Sequence, residues 1–148
     1  MTTYLEVTEA AGRAFFSRPI TGSIVMLNLL RFREVADYSA SPALAPVQPI
    51  SGEAAYGLYM EQTRPHLAAS GGELLLYGRG GPWLIGPDAE RWDAAMLVKQ
   101  SSVQAFLAFA SNPAYLPALA HRAAALADSR LLPLLADDTA TALAGGTD

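Results

Sequence analysis

The strongest constraint on the fold is the stretch IVMLNLLRF at Ile24–Phe32, in which seven of nine residues are large and apolar. Successive side chains of a strand point to opposite faces of the sheet, so a strand of this composition is apolar on both faces. A second predicted strand, residues 92–100, contains AAMLV and is apolar at odd and even positions alike. Both faces of the sheet therefore need to be covered.

The order of the elements predicts an α+β fold. Helix signals lie at residues 9–16, 51–70, 102–110 and 114–127, and strand signals lie at residues 23–32, 73–78, 92–100 and 130–135. After the leading helix this is the β-α-β-β-α-β order of a ferredoxin-like sandwich with an antiparallel sheet. We assign residues 1–135 to a single ferredoxin-like domain with an extra N-terminal helix at about 9–16 and a long proline-rich loop at about 34–50, and we predict that residues 136–148 form a disordered tail.

Both main helices of such a sandwich lie on one side of the sheet, which leaves the other side bare in a monomer. Covering several hundred Å² of apolar surface contributes on the order of 10 kcal/mol at about 25 cal/mol per Å², before the cost of association. A homodimer that forms through the bare sheet face is the simplest way to cover it.

Charge and composition narrow the function classes. The formal net charge of −4 and the lack of a dense Lys/Arg stripe argue against nucleic acid and against a membrane surface as partner. The chain has no cysteine, its two histidines lack the spacing of a metal motif, and no nucleotide-binding glycine pattern is present, so we expect no metal and no cofactor. The absence of cysteine and of a signal-peptide pattern at the N-terminus favours a cytoplasmic, bacterial-type protein.

Asn28 is the polar residue that interrupts the first strand, and it is our first candidate for the site. It shares a face with Met26 and Leu30, whereas strand alternation sends Arg31 to the opposite face. A buried amide needs hydrogen-bond partners, so Asn28 either orients a ligand in a pocket between the sheet and the helices or bonds to a neighbouring loop or helix end. For Arg31 a salt bridge at the sheet end or the dimer interface is the favoured role.

The second helix carries Tyr59, Thr63 and His66 along one line, because they are spaced i, i+4 and i+7. Tyr59 and His66 can therefore reach one pocket as a phenol and an imidazole, and a histidine can move protons near neutral pH. A core tyrosine beside an exposed histidine is the simpler alternative.

The last helix adds Arg122 and His121. At about 100° per residue, Arg122 lies about 60° from the buried Leu119 and His121 about 160° away. Arg122 can thus reach the edge of the core to bind a ligand or to pair with Asp128, while His121 should point outward. The alanines around His121 leave packing against another element open, so both residues stay candidates for substrate binding.

Arg79 lies in the glycine-rich GRGGP at residues 78–82, where a bend can present a cation to an anionic ligand. The segment lacks the spacing of a phosphate loop and continues to Trp83 rather than to a helix. A bulge with a solvated arginine is the alternative.

Four stretches of this chain resemble the family named domain of unknown function 1330. They are NLLRF, IGP, WDAAMLVKQSS and FLAFASNPAYLPALAHRAAALADSRLLPL, at residues 28–32, 85–87, 92–102 and 106–134. That family belongs to the dimeric α/β barrel superfamily, so the resemblance implies a pair of ferredoxin-like sheets. It implies no particular reaction, because the superfamily contains monooxygenases, lactone isomerases, dehalogenating and decarboxylating enzymes, and ligand-binding modules.

The sequence thus favours a small-molecule-binding protein with a pocket between the sheet and its helices. Whether it is an enzyme stays open. One alternative is a cofactor-independent enzyme that acts on a small organic acid, a lactone or an aromatic compound, and the other is a non-catalytic ligand-binding or scaffolding homodimer. The candidate substrate-binding residues are Asn28, Tyr59, Arg79, His121 and Arg122.

Overall fold

The computed structural model describes residues 2–135. Its helices are α1 (Glu9–Phe16), α2 (Gly52–Ala69), α3 (Val103–Ala110) and α4 (Leu116–Ala125), and its strands are β1 (Ile24–Phe32), β2 (Glu73–Arg79), β3 (Ala94–Gln100) and β4 (Leu126–Leu135). Single 3-10 turns lie at Pro42–Leu44 and Pro113–Tyr115. The tail predicted at residues 136–148 lies outside the described residues.

Three helices begin at hydroxyl caps. The side chains of Thr8, Ser51 and Ser102 each accept a hydrogen bond from the backbone N–H three residues further on. Each cap satisfies an N–H of the first turn that has no partner within its helix. Pro65 lies inside α2, which continues to Ala69, close to the predicted end at residue 70.

The four strands form one antiparallel sheet in the order β2-β3-β1-β4. This is the strand arrangement expected when two helical crossovers interleave in a β-α-β-β-α-β chain. The α+β, ferredoxin-like fold class is therefore confirmed.

The last strand begins earlier than the sequence predicts. Helix α4 ends at Ala125, and β4 starts at Leu126 rather than at Arg130. Leu126 pairs with Phe32, and the Arg33 N–H donates to the Ala125 carbonyl at 2.8 Å, so pairing with β1 extends the strand to the helix end. Residues 83–86, between β2 and β3, are not a strand.

The two faces of the sheet differ in whether helices pack against them. The helix-covered face carries Ile24, Met26, Asn28 and Leu30, and the main core packs there between the sheet, α2 and α4. A smaller cluster joins α1 and α3 to the same face through Phe15, Val103 and Phe106 around Ile24 and Met26.

The open face carries the alternate residues of each strand. Leu76 and Leu132 are 57% and 54% exposed there, and the central strands add the half-buried Val25, Leu27 and Leu97. None of the helices in residues 2–135 packs on this face. The residues of the two faces together show that the strands carry apolar side chains on both sides of the sheet, as the sequence predicts.

Candidate functional site

A buried polar group on the helix-covered side is centred on His121, which is 6% exposed. Its Nδ1 atom is 2.7 Å from the Tyr38 hydroxyl, and its Nε2 atom is 3.2 Å from the Gln62 side-chain nitrogen. Gln62 lies on α2 and His121 on α4, while Tyr38 belongs to the loop between β1 and α2. Three separate segments thus surround one imidazole.

The prediction that His121 points outward was wrong. Helical geometry directs it away from Leu119, but the surface in that direction is covered by the loop rather than by water. The loop is fixed to α4 by a hydrogen bond of 2.9 Å from the Asp37 N–H to the Ala124 carbonyl, and its two ends are joined by Ala36 N–H and the Ile50 carbonyl at 2.9 Å.

Burial determines the protonation of this group. It lowers the pKa of His121, because removal from water disfavours the imidazolium, and it raises the pKa of Tyr38, because it disfavours the phenolate. Both side chains are therefore neutral near pH 7. Because the Gln62 amide nitrogen can only donate, Nε2 accepts its N–H, and the Nδ1–H of the neutral ring donates to the Tyr38 hydroxyl oxygen. The opposite arrangement, in which Nδ1 accepts from Tyr38, requires the Gln62 amide to turn its oxygen toward Nε2.

A second polar pair lies deeper between the helices. The hydroxyls of Tyr59 on α2 and Tyr115 are 2.5 Å apart, and Tyr56 packs against Tyr59 with ring centres 5.0 Å apart. Burial raises the pKa of both Tyr56 and Tyr115, and the nearby Arg122 guanidinium opposes the rise only in part. Tyr56 and Tyr115 therefore remain protonated at neutral pH.

Arg122 reaches the edge of the core, as its helical position predicts. Its guanidinium donates to the Leu5 carbonyl at 2.7 Å and to the Ser129 hydroxyl at 3.4 Å. The alternative pairing with Asp128 is not formed, because Asp128 binds Arg31 and Arg130 instead, at 2.8 and 2.7 Å. The salt bridge predicted for Arg31 at the sheet end is thus confirmed.

Asn28 lies on the helix-covered face opposite Met96. Its amide nitrogen donates to the Met26 carbonyl at 3.2 Å, which is a local bond along its own strand. Thr63, on α2, is buried, and its hydroxyl has no hydrogen-bond partner among the described residues. A buried hydroxyl without a partner costs free energy, so it is a position where a ligand or water atom would be stabilised.

Arg79 lies apart from the other candidates. It ends β2, is largely exposed, and pairs with Glu53 in the first turn of α2 at 2.6 Å. The structure therefore brings Tyr59, His121 and Arg122 to the α2–α4 side of the core, whereas Arg79 forms a surface ion pair.

Sequence reasoning missed three residues at this site, Tyr38, Gln62 and Tyr115. Tyr38 lies in a loop without periodicity, so no local pattern could have paired it with a residue 83 positions away. Gln62 lies in the polar segment EQTR of α2, and this pattern predicts a solvated side chain. Tyr115 lies in the segment NPAYLP, within the stretch that resembles the domain of unknown function 1330 family. That resemblance was the only indication in the sequence that Tyr115 could have a role.

Two depressions in the surface of residues 2–135 are open to solvent. One of about 430 Å³ is formed by the loop residues 35–50 and includes Tyr38 in its wall. The other, of about 200 Å³, lies beside the loop between β2 and β3. None of the five residues predicted to bind substrate lines either depression.

Two further properties bear on binding. Among residues 2–135 no group of three or more His, Asp or Glu side chains is placed to hold a metal ion. Over the same residues no helix has both the length and the apolar character that a bilayer span requires.

The chain is similar to the RPA0582 protein of Rhodopseudomonas palustris, a protein of unknown function. Two crystal structures of that protein match this chain at 33% sequence identity. The structure of the methylated protein gives a TM-score of 0.82 over 93% of this chain and 97% of that chain. The other structure gives a TM-score of 0.80 over 92% of this chain and 100% of that chain. A dimeric, ferredoxin-like protein of unknown function from Bacteroides fragilis is 14% identical, with a TM-score of 0.45, over 75% and 93%. No protein-family model and no curated protein matches the chain, so membership in the domain of unknown function 1330 family stays a prediction.

Proposed function

We propose, from the premise that this chain belongs to the family of the Rhodopseudomonas palustris RPA0582 protein, that it is a homodimeric small-molecule-binding protein. Its ligand is a small organic acid, a lactone or an aromatic compound. The ligand binds in the depression of the loop 35–50 and extends toward His121. The observation that carries the proposal is the buried imidazole held between Tyr38 and Gln62 behind this depression.

The surroundings of the depression support a ligand that is mostly apolar. Its wall is rich in proline, alanine and valine, with Tyr38 as its aromatic residue. Apolar walls with a few polar groups are typical of small-molecule sites. A carbonyl or carboxylate oxygen of the ligand would accept the Tyr38 O–H, since the Tyr38 oxygen accepts the Nδ1–H of His121.

Catalysis by this site would be cofactor-independent proton transfer. Proton uptake at Nδ1 uses the tautomer with Nε2–H, in which the Gln62 amide turns its oxygen toward Nε2. Nδ1 then accepts the Tyr38 proton while the Tyr38 oxygen takes one from the ligand, near the pH at which a neutral imidazole can act as a base. Gln62 would hold the ring in place at Nε2. A non-catalytic ligand-binding dimer is the second candidate, favoured by the mutual satisfaction of these polar groups without any ligand.

The experiment is a thermal-shift screen of the full chain against aromatic acids, small organic acids and lactones, followed by turnover assays on the hits. We expect at least one hit whose shift is lost in His121→Asn and reduced in Tyr38→Phe, because these changes remove the imidazole and the hydroxyl. His66→Asn is the matched control, since it replaces the chain's other histidine, on α2, and should keep the shift.

The outcomes separate the two candidates. Turnover that disappears in His121→Asn favours the enzyme, and binding without turnover favours the ligand-binding dimer. A panel without hits, or equal losses in both histidine variants, contradicts the proposed site.

Asn28→Leu tests how far the ligand reaches toward the sheet. If the ligand extends to the helix-covered face, this variant loses ligand binding and keeps the dimer, because Asn28 points to that face. Loss of the dimer in Asn28→Leu would contradict the assignment of the dimer to the open face.

The homodimer is supported by the apolar open face of the sheet, with Leu76 and Leu132 exposed at its two edges. We expect light scattering to give the mass of a dimer at micromolar concentration and of a monomer for Leu132→Glu. Leu107→Glu is the control, because Leu107 is similarly exposed but lies on α3. A monomeric wild-type protein would contradict the dimer.

A further inference from the structure

The larger depression is separated from the imidazole that lies behind it. All the residues that line this depression belong to the loop 35–50, and Tyr38 is among them. His121 is 6% exposed, and neither it nor Gln62 lines either depression. A ligand in the depression therefore contacts Tyr38 but not the imidazole. Direct contact with His121 requires the loop to move.

The two ends of the loop are fixed to the rest of the molecule. The Arg33 N–H donates to the Ala125 carbonyl at 2.8 Å, and the Arg33 carbonyl accepts from the Gly52 N–H at 3.0 Å. A side chain at Gly52 would clash with the carbonyl oxygens of Arg33 and Ala125, so the backbone segments are in close contact there. The hydrogen bond from the Ala36 N–H to the Ile50 carbonyl then closes the loop. The loop is thus anchored at both ends.

The segment between these ends, residues 37–49, is held by few contacts, and we call it the lid. Tyr38 is its single buried side chain, and the structure describes every residue of the lid. In the described part of the chain two hydrogen bonds join the lid to the rest, from the Asp37 N–H to the Ala124 carbonyl and between Tyr38 and His121. The Tyr38 ring packs edge-on against the imidazole, with ring centres 5.5 Å apart. A segment with so few buried contacts opens at a lower free energy than the core.

The lid has internal bonds that keep it in one piece. Three of its residues are prolines, which restrict the backbone, and it contains the 3-10 turn Pro42–Leu44. The Ser41 N–H donates to the Tyr38 carbonyl, and the Ser39 N–H donates to the Asp37 carboxylate, each at 2.9 Å. These bonds lie within the lid, so they persist when it separates from the helices.

We infer that residues 37–49 form a lid that pivots at its anchored ends, with Tyr38 as its latch, and that its opening gives a ligand direct access to His121 and Gln62. On opening, the two hydrogen bonds to the rest of the chain break and the Tyr38 ring leaves the imidazole. The role of the ligand rests on the proposed function. The opening itself is a property of the chain without ligand, and it is tested in that state.

The test measures how fast diethyl pyrocarbonate, which reacts with accessible neutral imidazoles, modifies His121. The chain has two histidines, so His66→Asn leaves His121 as the single target, and mass spectrometry of its peptide gives the rate. In this background Tyr38→Ala should raise the rate at least ten-fold, because it removes the latch. Tyr38→Phe keeps the ring packing and should raise it by a smaller factor. Leu44→Ala, an exposed position of the lid, is the control and should leave the rate unchanged.

Urea distinguishes opening of the lid from unfolding of the whole chain, and it does so in His66→Asn even if Tyr38→Ala does not fold. Opening of the lid exposes little surface, so the rate should change little with urea below the unfolding transition. A rate that rises as steeply with urea as global unfolding, or one that Tyr38→Ala leaves unchanged, would overturn the lid. Because no ligand is present, the result is independent of the ligand screen, whose failure contradicts the proposed function alone.

Discussion

The helix-covered side and the open face of the sheet both bury polar groups, but they bury groups of different kinds. Between α2 and α4 the polar atoms are neutral hydroxyls and an imidazole that pair with one another, as Tyr59 does with Tyr115 and Tyr38 with His121. At the end of the open face the buried group is the Asp128 carboxylate, which is 1% exposed and paired with two arginines.

This difference predicts which region loses more stability when a single side chain is removed. Removing one partner of a neutral pair leaves a single unpaired hydroxyl, whereas removing a buried carboxylate leaves two cations without their counterion. We therefore expect the open-face cluster to respond more strongly to single substitutions than the pairs between the helices.

The largest expected effect is that of Asp128→Asn, which should lower the free energy of unfolding by about 2–3 kcal/mol. The value is below that of a fully buried ion pair because Arg31 and Arg130 keep part of their surface in water. Urea unfolding at neutral pH measures it. Glu9→Gln is the control, because its pair with Arg13 is exposed and should contribute less than about 0.5 kcal/mol.

The stability difference between wild type and Asp128→Asn should also depend on pH. Burial alone raises the pKa of Asp128, but hydrogen bonds from the Tyr4 and Ser129 N–H groups and from Arg130 outweigh it, so the pKa is lowered. The stabilisation is therefore complete above the unfolded pKa of about 3.9 and is lost as the pH falls through the folded pKa. A gap between wild type and Asp128→Asn that stays constant down to the acid transition would contradict this assignment.

An intermediate effect is expected for Tyr59→Phe. The change leaves the Tyr115 hydroxyl buried without its partner and should cost about 1–2 kcal/mol of unfolding free energy. Tyr115→Phe should cost a similar amount. The double variant should lose less than the sum of the two, because no hydroxyl is left unpaired. Additive losses in this double-mutant cycle would show that the two hydroxyls are not coupled.

The smallest effect concerns His121 and acid. Its folded pKa is lowered below the unfolded value of about 6.5, so the unfolded chain binds more protons and stability falls as the pH drops below that value. We expect the urea midpoint of wild type to fall more between pH 7.5 and pH 5.5 than that of His121→Asn, by less than about 1 kcal/mol in free energy. Equal slopes would show that His121 is not desolvated in solution.

The fold could be predicted from the sequence because its signals are local. The two-sided apolar strands and the helix periods gave the β-α-β-β-α-β order, and strand alternation alone separated Asn28 from Arg31. The site could not be predicted in the same way. Its contacts join distant segments, such as Arg122 to the carbonyl of Leu5, and the loop that covers His121 has no period that indicates what it packs against.

The junction between α4 and β4 has a mechanical consequence. Ala125 ends the helix and Leu126 begins the strand, so no connecting loop separates them. We therefore expect a displacement of α4 along its axis to move the first residues of β4, including Asp128, unless the last helical turn unwinds. The direct junction thus couples the helix that carries His121 on one side of the sheet to the strand end that carries Asp128 on the other.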